Sequence, residues 1–162
     1  MNEKETIEKF IERHEGRRNK PYKCPASKNT IGVGWNFDDN PLPKSIADYL
    51  EVHGEITDDM VNLLLSLSVK NAIKDCLDLF PTWDSISLKR RMALIDFVFQ
   101  LGKHRTSHFV NTIAAINTGR WEDAAEGIRK SLYWKQLGGD PPGTDDGKLE
   151  RPEEIANMIL EG

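Results

Sequence analysis

Glu15, Cys24 and Thr30 set a carboxyl, a thiol and a hydroxyl close together along the chain, with eight residues between the first two and five between the last two. Such a set suits the breaking of a glycosidic bond. That reaction needs an acid to protonate the leaving oxygen and a second group to manage the opposite face of the sugar. A carboxyl at the C-terminal end of a helix can be the acid, because partial burial and the negative end of the helix dipole both favour the protonated form. A hydroxyl beside it can orient a water, and a thiol can act as base or nucleophile. Residue by residue the set is unremarkable: glutamates at helix ends are mostly solvated surface groups, and a small hairpin with a buried cysteine is the plain alternative.

The elements that must position these groups follow from periodicity. Ile7, Phe10, Ile11 and His14 recur at helical spacing and predict a helix over 3–14, ended by Gly16, so that Glu15 stands in its last turn. Tyr22–Cys24 and Thr30–Trp35 read as two strands of a hairpin, joined by the turn Pro25–Asn29. Ile31, Val33 and Trp35 give the second strand an apolar face; Gly32 and Gly34 leave its other face bare, which suits close approach by another group. Asp38–Pro43 is a loop and Ser45–Leu50 a short helix. A long helix runs from a Thr57 cap to Phe80, where Pro81 stops it, with Met60, Leu63, Leu64, Leu67, Ile73, Leu77 and Phe80 as its apolar positions. At the standard rise it is about 35 Å long, enough to connect two lobes. Leu88–Leu101 is the most apolar helix and predicts the centre of the core, closed by Gly102; further helices are expected over His108–Asn117 and Trp121–Tyr133. Gly138–Gly147 has no periodicity and reads as a loop, and Pro152 opens a last helix ending near Leu160.

Bulk composition narrows the function. With 162 residues, 38% hydrophobic and 30% charged, the chain has the make-up of one compact domain able to hold a core without metal or disulfide staples. A formal charge of −4 argues against nucleic acid as a partner, since that affinity comes from Lys and Arg neutralising phosphates. Basic residues still cluster locally, at Arg13, Arg17, Arg18, Lys20 and Lys23 and again at Lys89, Arg90 and Arg91. Cys24 and Cys76 have neither metal-ligand nor redox spacing, and two free thiols in a reducing compartment are expected. No stretch is apolar enough to span a bilayer, and the charged Met1–Glu5 start lacks the apolar core of a signal peptide.

His14-Glu15-Gly16-Arg17, Pro21-Tyr22 and Thr30-Ile31-Gly32-Val33-Gly34 together resemble the T-even phage lysozyme family, glycoside hydrolase family 24. That family's signature is a Glu, eight residues, an Asp or Cys, five residues, then a Thr, and Glu15, Cys24 and Thr30 match both spacings. The likeness extends through Arg90–Ile95 with Phe97–Gly102, Phe109–Thr112 and Gly119–Ala125, to about Gln136. It implies an α+β, mainly α, lysozyme-like fold: a single catalytic domain over 1–162, with an N-terminal hairpin lobe over about 15–60, a connecting helix over about 58–80, and a helical C-terminal lobe over about 81–162 on which the first helix packs. It also implies hydrolysis of the β-1,4 bond between N-acetylmuramic acid and N-acetylglucosamine in peptidoglycan. Glu15 would be the proton donor, Thr30 would help hold the attacking water, and Gly34, Phe99 and Thr112 would contact substrate. No cofactor and no metal is implied.

Three departures from the family pattern matter. The second catalytic position is Cys24 rather than the more familiar aspartate. A thiol is mostly uncharged at neutral pH, and a neighbouring Glu15 carboxylate is expected to oppose its ionisation further. Cys24 as base, nucleophile or bystander stays open. Trp35 stands where relatives often carry histidine, and reads as core or cleft wall. Gly138–Lys148 is longer and more acidic than the family leads one to expect, which suits a tolerated insertion.

Among the other candidates, Trp121 and Trp134 read as packing residues, Trp83 as an anchor after a helix-ending proline, and Cys76 as core. Arg17 and Lys20 are placed to meet an acidic glycan or its peptides. His104 and His108 lie four apart without an acidic ligand pattern, and suggest no metal. The expectation is a monomeric endolysin that waits in the bacterial cytoplasm for a holin to open the membrane, then reaches the wall. A bacteriocin or effector muramidase, a lytic transglycosylase and a non-catalytic glycan-binding module are the alternatives, and Thr30 favours hydrolysis over the second of these.

Overall fold

A computed structural model describes residues 2–135 and 151–162. The Gly138–Lys148 loop lies outside the described residues, as does the side chain of Trp134. The fold is α+β and mainly α, with one small antiparallel sheet. The chain divides into two compact units, Met1–Lys70 and Asn71–Gly162.

The first unit opens with α1 (Glu3–Glu15), begun by a capping box in which the Asn2 side chain accepts from the Glu5 N–H and the Glu5 carboxylate accepts from the Asn2 N–H. Ile7, Phe10 and Ile11 bury one stripe of the helix, as the helical spacing predicts. The sheet has three strands rather than two: β1 (Arg18–Lys23), β2 (Asn29–Gly32) and β3 (Trp35–Asn36), in the order β1-β2-β3 and antiparallel throughout. The single strand expected over Thr30–Trp35 is therefore broken. Gly32 and Gly34 take φ of +67° and +70°, left-handed values that turn the chain, so Thr30 pairs with Asn36 and Ile31 with Trp35. The sheet is followed by α2 (Lys44–His53), which is longer at both ends than its apolar pattern suggests.

The long helix α3 (Asp58–Leu79) begins in the first unit and ends in the second. Thr57 caps it, its hydroxyl accepting from the Met60 N–H at 3.1 Å. The buried positions are Val61, Leu64, Leu65, Val69, Ala72 and Cys76, whereas Leu63 and Leu77 are about half exposed (48% and 50%). Two of the helix's apolar positions thus lie off the buried stripe, because apolar residues occur on more than one side of it.

The second unit contains a 3-10 turn (Trp83–Ser85), α4 (Leu88–Leu101), a short unanticipated α5 (Lys103–Ser107), α6 (Val110–Asn117), α7 (Trp121–Lys135) and α8 (Arg151–Glu161). Ser87 caps α4, and every residue from Ala93 to Val98 is buried, Asp96 included. That carboxylate is met by Arg151 of α8, through Nη2 to Oδ1 at 2.5 Å and Nε to Oδ2 at 3.1 Å, and by the Gln100 amide at 2.9 Å. The other end of α8 is fastened to α4 by cations. Arg90 Nε donates to the Ile159 carbonyl at 2.7 Å, its guanidinium lies 4.1 Å from the Trp121 ring, and Lys89 pairs with Glu161. Arg91 donates to the carbonyls of Trp83 and Asp84, both at 3.1 Å. The basic run Lys89–Arg91 is therefore spent on helix ends and turns, where carbonyls need donors.

Gly127 lets α7 approach α6. A methyl group there would overlap the Thr112 hydroxyl outright and sit 3.1 Å from Thr112 Cβ and 3.3 Å from its Cγ2. The hydroxyl must turn away, and Thr112 Cβ, which no side-chain rotation moves, must still give by a few tenths of an ångström. Gly127→Ala, which would otherwise favour the helix by about 1 kcal/mol, is expected to destabilise the protein by about 1–3 kcal/mol. Thermal unfolding measures this, and Thr112→Ala in the same chain should recover part of the loss.

Candidate active site

Glu15 is the last residue of α1, and the helix closes on Gly16, whose N–H reaches the Glu12 carbonyl at 2.8 Å. The chain then enters β1 within two residues, which folds the sheet back beside the carboxyl. Glu15 is half-buried. Its carboxyl lies against Gly34: a methyl at Gly34 would be 3.1 Å from Glu15 Oε2 and 3.3 Å from its Cδ. Gly34 serves two ends here, supplying the left-handed turn into β3 and the space the carboxyl occupies. Arg17, expected to be available to glycan, is committed elsewhere, to the Glu12 carboxylate at 3.1 Å and the Asp58 carbonyl at 3.0 Å. Lys20 is exposed.

Cys24 and Thr30 stand at the closed end of the β1–β2 hairpin. Tyr22 pairs with Thr30 and Lys23 with Asn29, after which Cys24 N–H donates to the Lys28 carbonyl at 3.0 Å. The turn passes through Ser27 at φ +61°. Asp38 holds it from outside, its two oxygens accepting from the Asn29 N–H at 2.7 Å and the Asn29 amide at 2.9 Å. Those two bonds, with Lys23 and Lys28 nearby, keep the Asp38 carboxyl below its ordinary range despite a small opposing desolvation.

The Thr30 hydroxyl is buried and donates to the Lys28 carbonyl at 3.0 Å. It is also a hydrogen-bond partner of Cys24. With one proton to give, the hydroxyl serves either the carbonyl or the sulfur at a time. Desolvation pushes the Cys24 thiol up, but hydrogen bonds from the backbone of Lys28 and Ala26, from Thr30 and from Cys24 itself outweigh it, so the thiol lies below its ordinary value. The net direction is thus opposite to the one expected of an uncharged thiol beside Glu15. Desolvation is the largest single cause, but the short-range donors of the turn together outweigh it, and a charge argument along the sequence does not contain them.

Tyr22 joins these groups and was not singled out by residue type. Its phenol is raised, first by burial, then by the Glu15 charge, with a smaller contribution from Cys24 and opposition from Arg18. It therefore lies within electrostatic reach of both the carboxyl and the thiol, while the Arg18 guanidinium lies 4.7 Å from its ring centre. Strand alternation carried the signal: residues 22 and 24 share a face, and Thr30 is the cross-strand partner of Tyr22.

The first unit therefore gathers Glu15 with Gly34, and Cys24 with Thr30, and Tyr22 senses both pairs. Phe99 and Thr112 belong to the second unit. Phe99 is half-buried on α4, and the Thr112 side chain is buried against Gly127. Trp35 is half-buried and its indole N–H donates to the Asn40 carbonyl at 2.8 Å, tying it to the loop after β3. Trp83 is buried and stacked on Phe80, and Cys76 is wholly buried. Both cysteines are free thiols; burial and then Asp75 push Cys76 far above its ordinary value, which leaves it inert beside Cys24.

A mainly helical α+β chain with a carboxyl at the end of its first helix, set beside a three-stranded sheet, is a lysozyme-like protein. The sequence model of the phage lysozyme family matches residues 12–146, and the chain belongs to that family. Among its relatives is the pre-baseplate central spike protein Gp5 of Enterobacteria phage T4, 26% identical over 148 residues, covering 83% of this chain and 26% of the spike protein. Another is the probable T4-type lysozyme 2 of Dictyostelium discoideum, 22% identical over 144 residues, covering 79% of this chain and 84% of the relative. The chain thus spans about a quarter of the spike protein's length and most of the second relative's.

Proposed function

We propose that the chain is a muramidase that hydrolyses the β-1,4 bond between N-acetylmuramic acid and N-acetylglucosamine in bacterial peptidoglycan. The observation that carries the reading is the Glu15 carboxyl at the end of α1, lying against Gly34 in a chain of the phage lysozyme family. Glu15 gives its proton to the glycosidic oxygen as the bond breaks. Thr30 and Cys24 act on the far side of the sugar, where a water is held and its proton taken up as the new bond forms. Turbidity of purified peptidoglycan tests the reading: wild type clears the suspension and Glu15→Gln does not, and equal clearing by both would sink it.

The lowered Cys24 thiol supports its use as the base, because a lower value means more thiolate at a given pH. Cys24→Ala is expected to lower activity by about 100-fold, the low end for losing a positioned base, while Cys24→Asp keeps or raises it. The pH profile supplies the sign. Wild-type activity rises with pH as the thiol ionises and falls away below that lowered value; Cys24→Asp moves this limb to the carboxylate range. Full activity in Cys24→Ala would make the thiol a bystander.

In biological terms we propose an endolysin that acts as a monomer, is held in the bacterial cytoplasm and admitted to the wall by a holin, with lysis as the outcome. The spike-protein relative supports a second reading, in which the same chemistry serves a component of the phage particle. Fractionating infected cells separates them: activity in the free soluble fraction fits the endolysin, and activity confined to particles fits the spike.

A further inference from the structure

In the second unit, at α5, two imidazoles meet. His104 and His108 are both exposed and one helical turn apart, and the backbone remains helical through His108 at φ −76° and ψ −18°. Their Nε2 atoms lie 3.4 Å apart, with the rings nearly perpendicular at 85° and their centres 4.9 Å apart. As a hydrogen bond that separation is long for two ring nitrogens. As a chelate it fits well: two nitrogens each about 2.05 Å from a tetrahedral cation stand roughly 3.3 Å apart.

We propose that His104 and His108 form a bidentate surface site for a borderline first-row divalent cation such as Zn²⁺ or Ni²⁺, bound through both Nε2 atoms. Imidazole suits these ions, whereas Mg²⁺ and Ca²⁺ prefer oxygen ligands. No group of three or more His, Cys, Asp or Glu residues fit to hold a metal occurs among the described residues, so the remaining coordination positions fall to water or to an outside ligand. Two cations accompany the pair on α5: Lys103, its first residue, has its ammonium on the Asp78 carboxylate at 2.8 Å, and Arg105 follows His104 directly in the chain. The want of an acidic ligand pattern suggests no metal in the sequence, which does not reveal that the two nitrogens converge.

Calorimetric titration of the full chain with ZnCl₂ and with NiCl₂, and with MgCl₂ as the control, tests this. One Zn²⁺ or Ni²⁺ is expected to bind per chain, with no heat from Mg²⁺. His104→Gln and His108→Gln should each weaken binding by about tenfold or more, as loss of one of two imidazole ligands must. Cys24→Ser should bind as wild type does, since that thiol is the other available soft ligand. In wild type, Zn²⁺ should also shift the imidazole NMR signals of His104 and His108 together, leaving those of His14 and His53 in place. Unchanged affinity in both glutamine variants, loss of binding in Cys24→Ser, shifts at His14 or His53 instead, or no binding at millimolar metal would each overturn the proposal.

Discussion

Asp96→Ala is expected to lower the unfolding free energy by about 3–5 kcal/mol, the range for breaking a buried ion pair. Asp96 is wholly buried in the middle of the most buried helix, and both its oxygens are bonded, to Arg151 twice and to Gln100 once. The Arg151 side chain is only 15% exposed, and two of its nitrogens are bonded to this carboxylate. In a chain of this size the loss lowers Tm by on the order of 10 °C. Asp96→Asn keeps hydrogen-bonding capacity and should fall between wild type and alanine. Asp96→Leu combined with Arg151→Met removes both charges at once and should recover most of the stability, because apolar residues of similar volume replace a buried pair at little cost. Differential scanning calorimetry of the four proteins checks this; a double variant no better than Asp96→Ala would mean that the loss is not the cost of a stranded charge.

The largest expected effect on activity is that of Glu15→Gln. Glutamine fills the same space against Gly34 and leaves the end of α1 as it is, but carries no acidic proton. General acid catalysis contributes about 10²–10⁴-fold, and that is the loss anticipated in clearing rate. Stability should hardly change, which separates this variant from Asp96→Ala. Glu15→Asp keeps the acid but draws it back by one methylene from the position beside Gly34, and is expected to retain only a small part of the activity. A clearing rate for Glu15→Gln within threefold of wild type would remove the acid from the mechanism.

The firmest parts of the site were legible because they depend on neighbours in sequence. Gly16 ends α1 and so fixes Glu15 at its terminus; the turn after Cys24 brings Thr30 back beside it within six residues. What escaped depends on backbone angles or on distant partners. Alternation of Ile31, Val33 and Trp35 reads as one strand, and only the left-handed Gly32 and Gly34 reveal two. Leu63 and Leu77 look like core residues by type, yet α3 turns them outward. Asp96 went unread within an apolar helix, since its partner Arg151 comes 55 residues later. The thiol is the most instructive case. Charge and burial both predict an unwilling acid, while the amides of its own turn supply the stabilisation that decides the direction.

The proposed hydrolysis of the muramic acid bond by Glu15 is decided by the masses and end groups of the fragments released from purified peptidoglycan. Fragments ending in reducing N-acetylmuramic acid are expected from the wild type and none from Glu15→Gln. Fragments lighter by one water, carrying anhydro ends, or ends on N-acetylglucosamine, would contradict it.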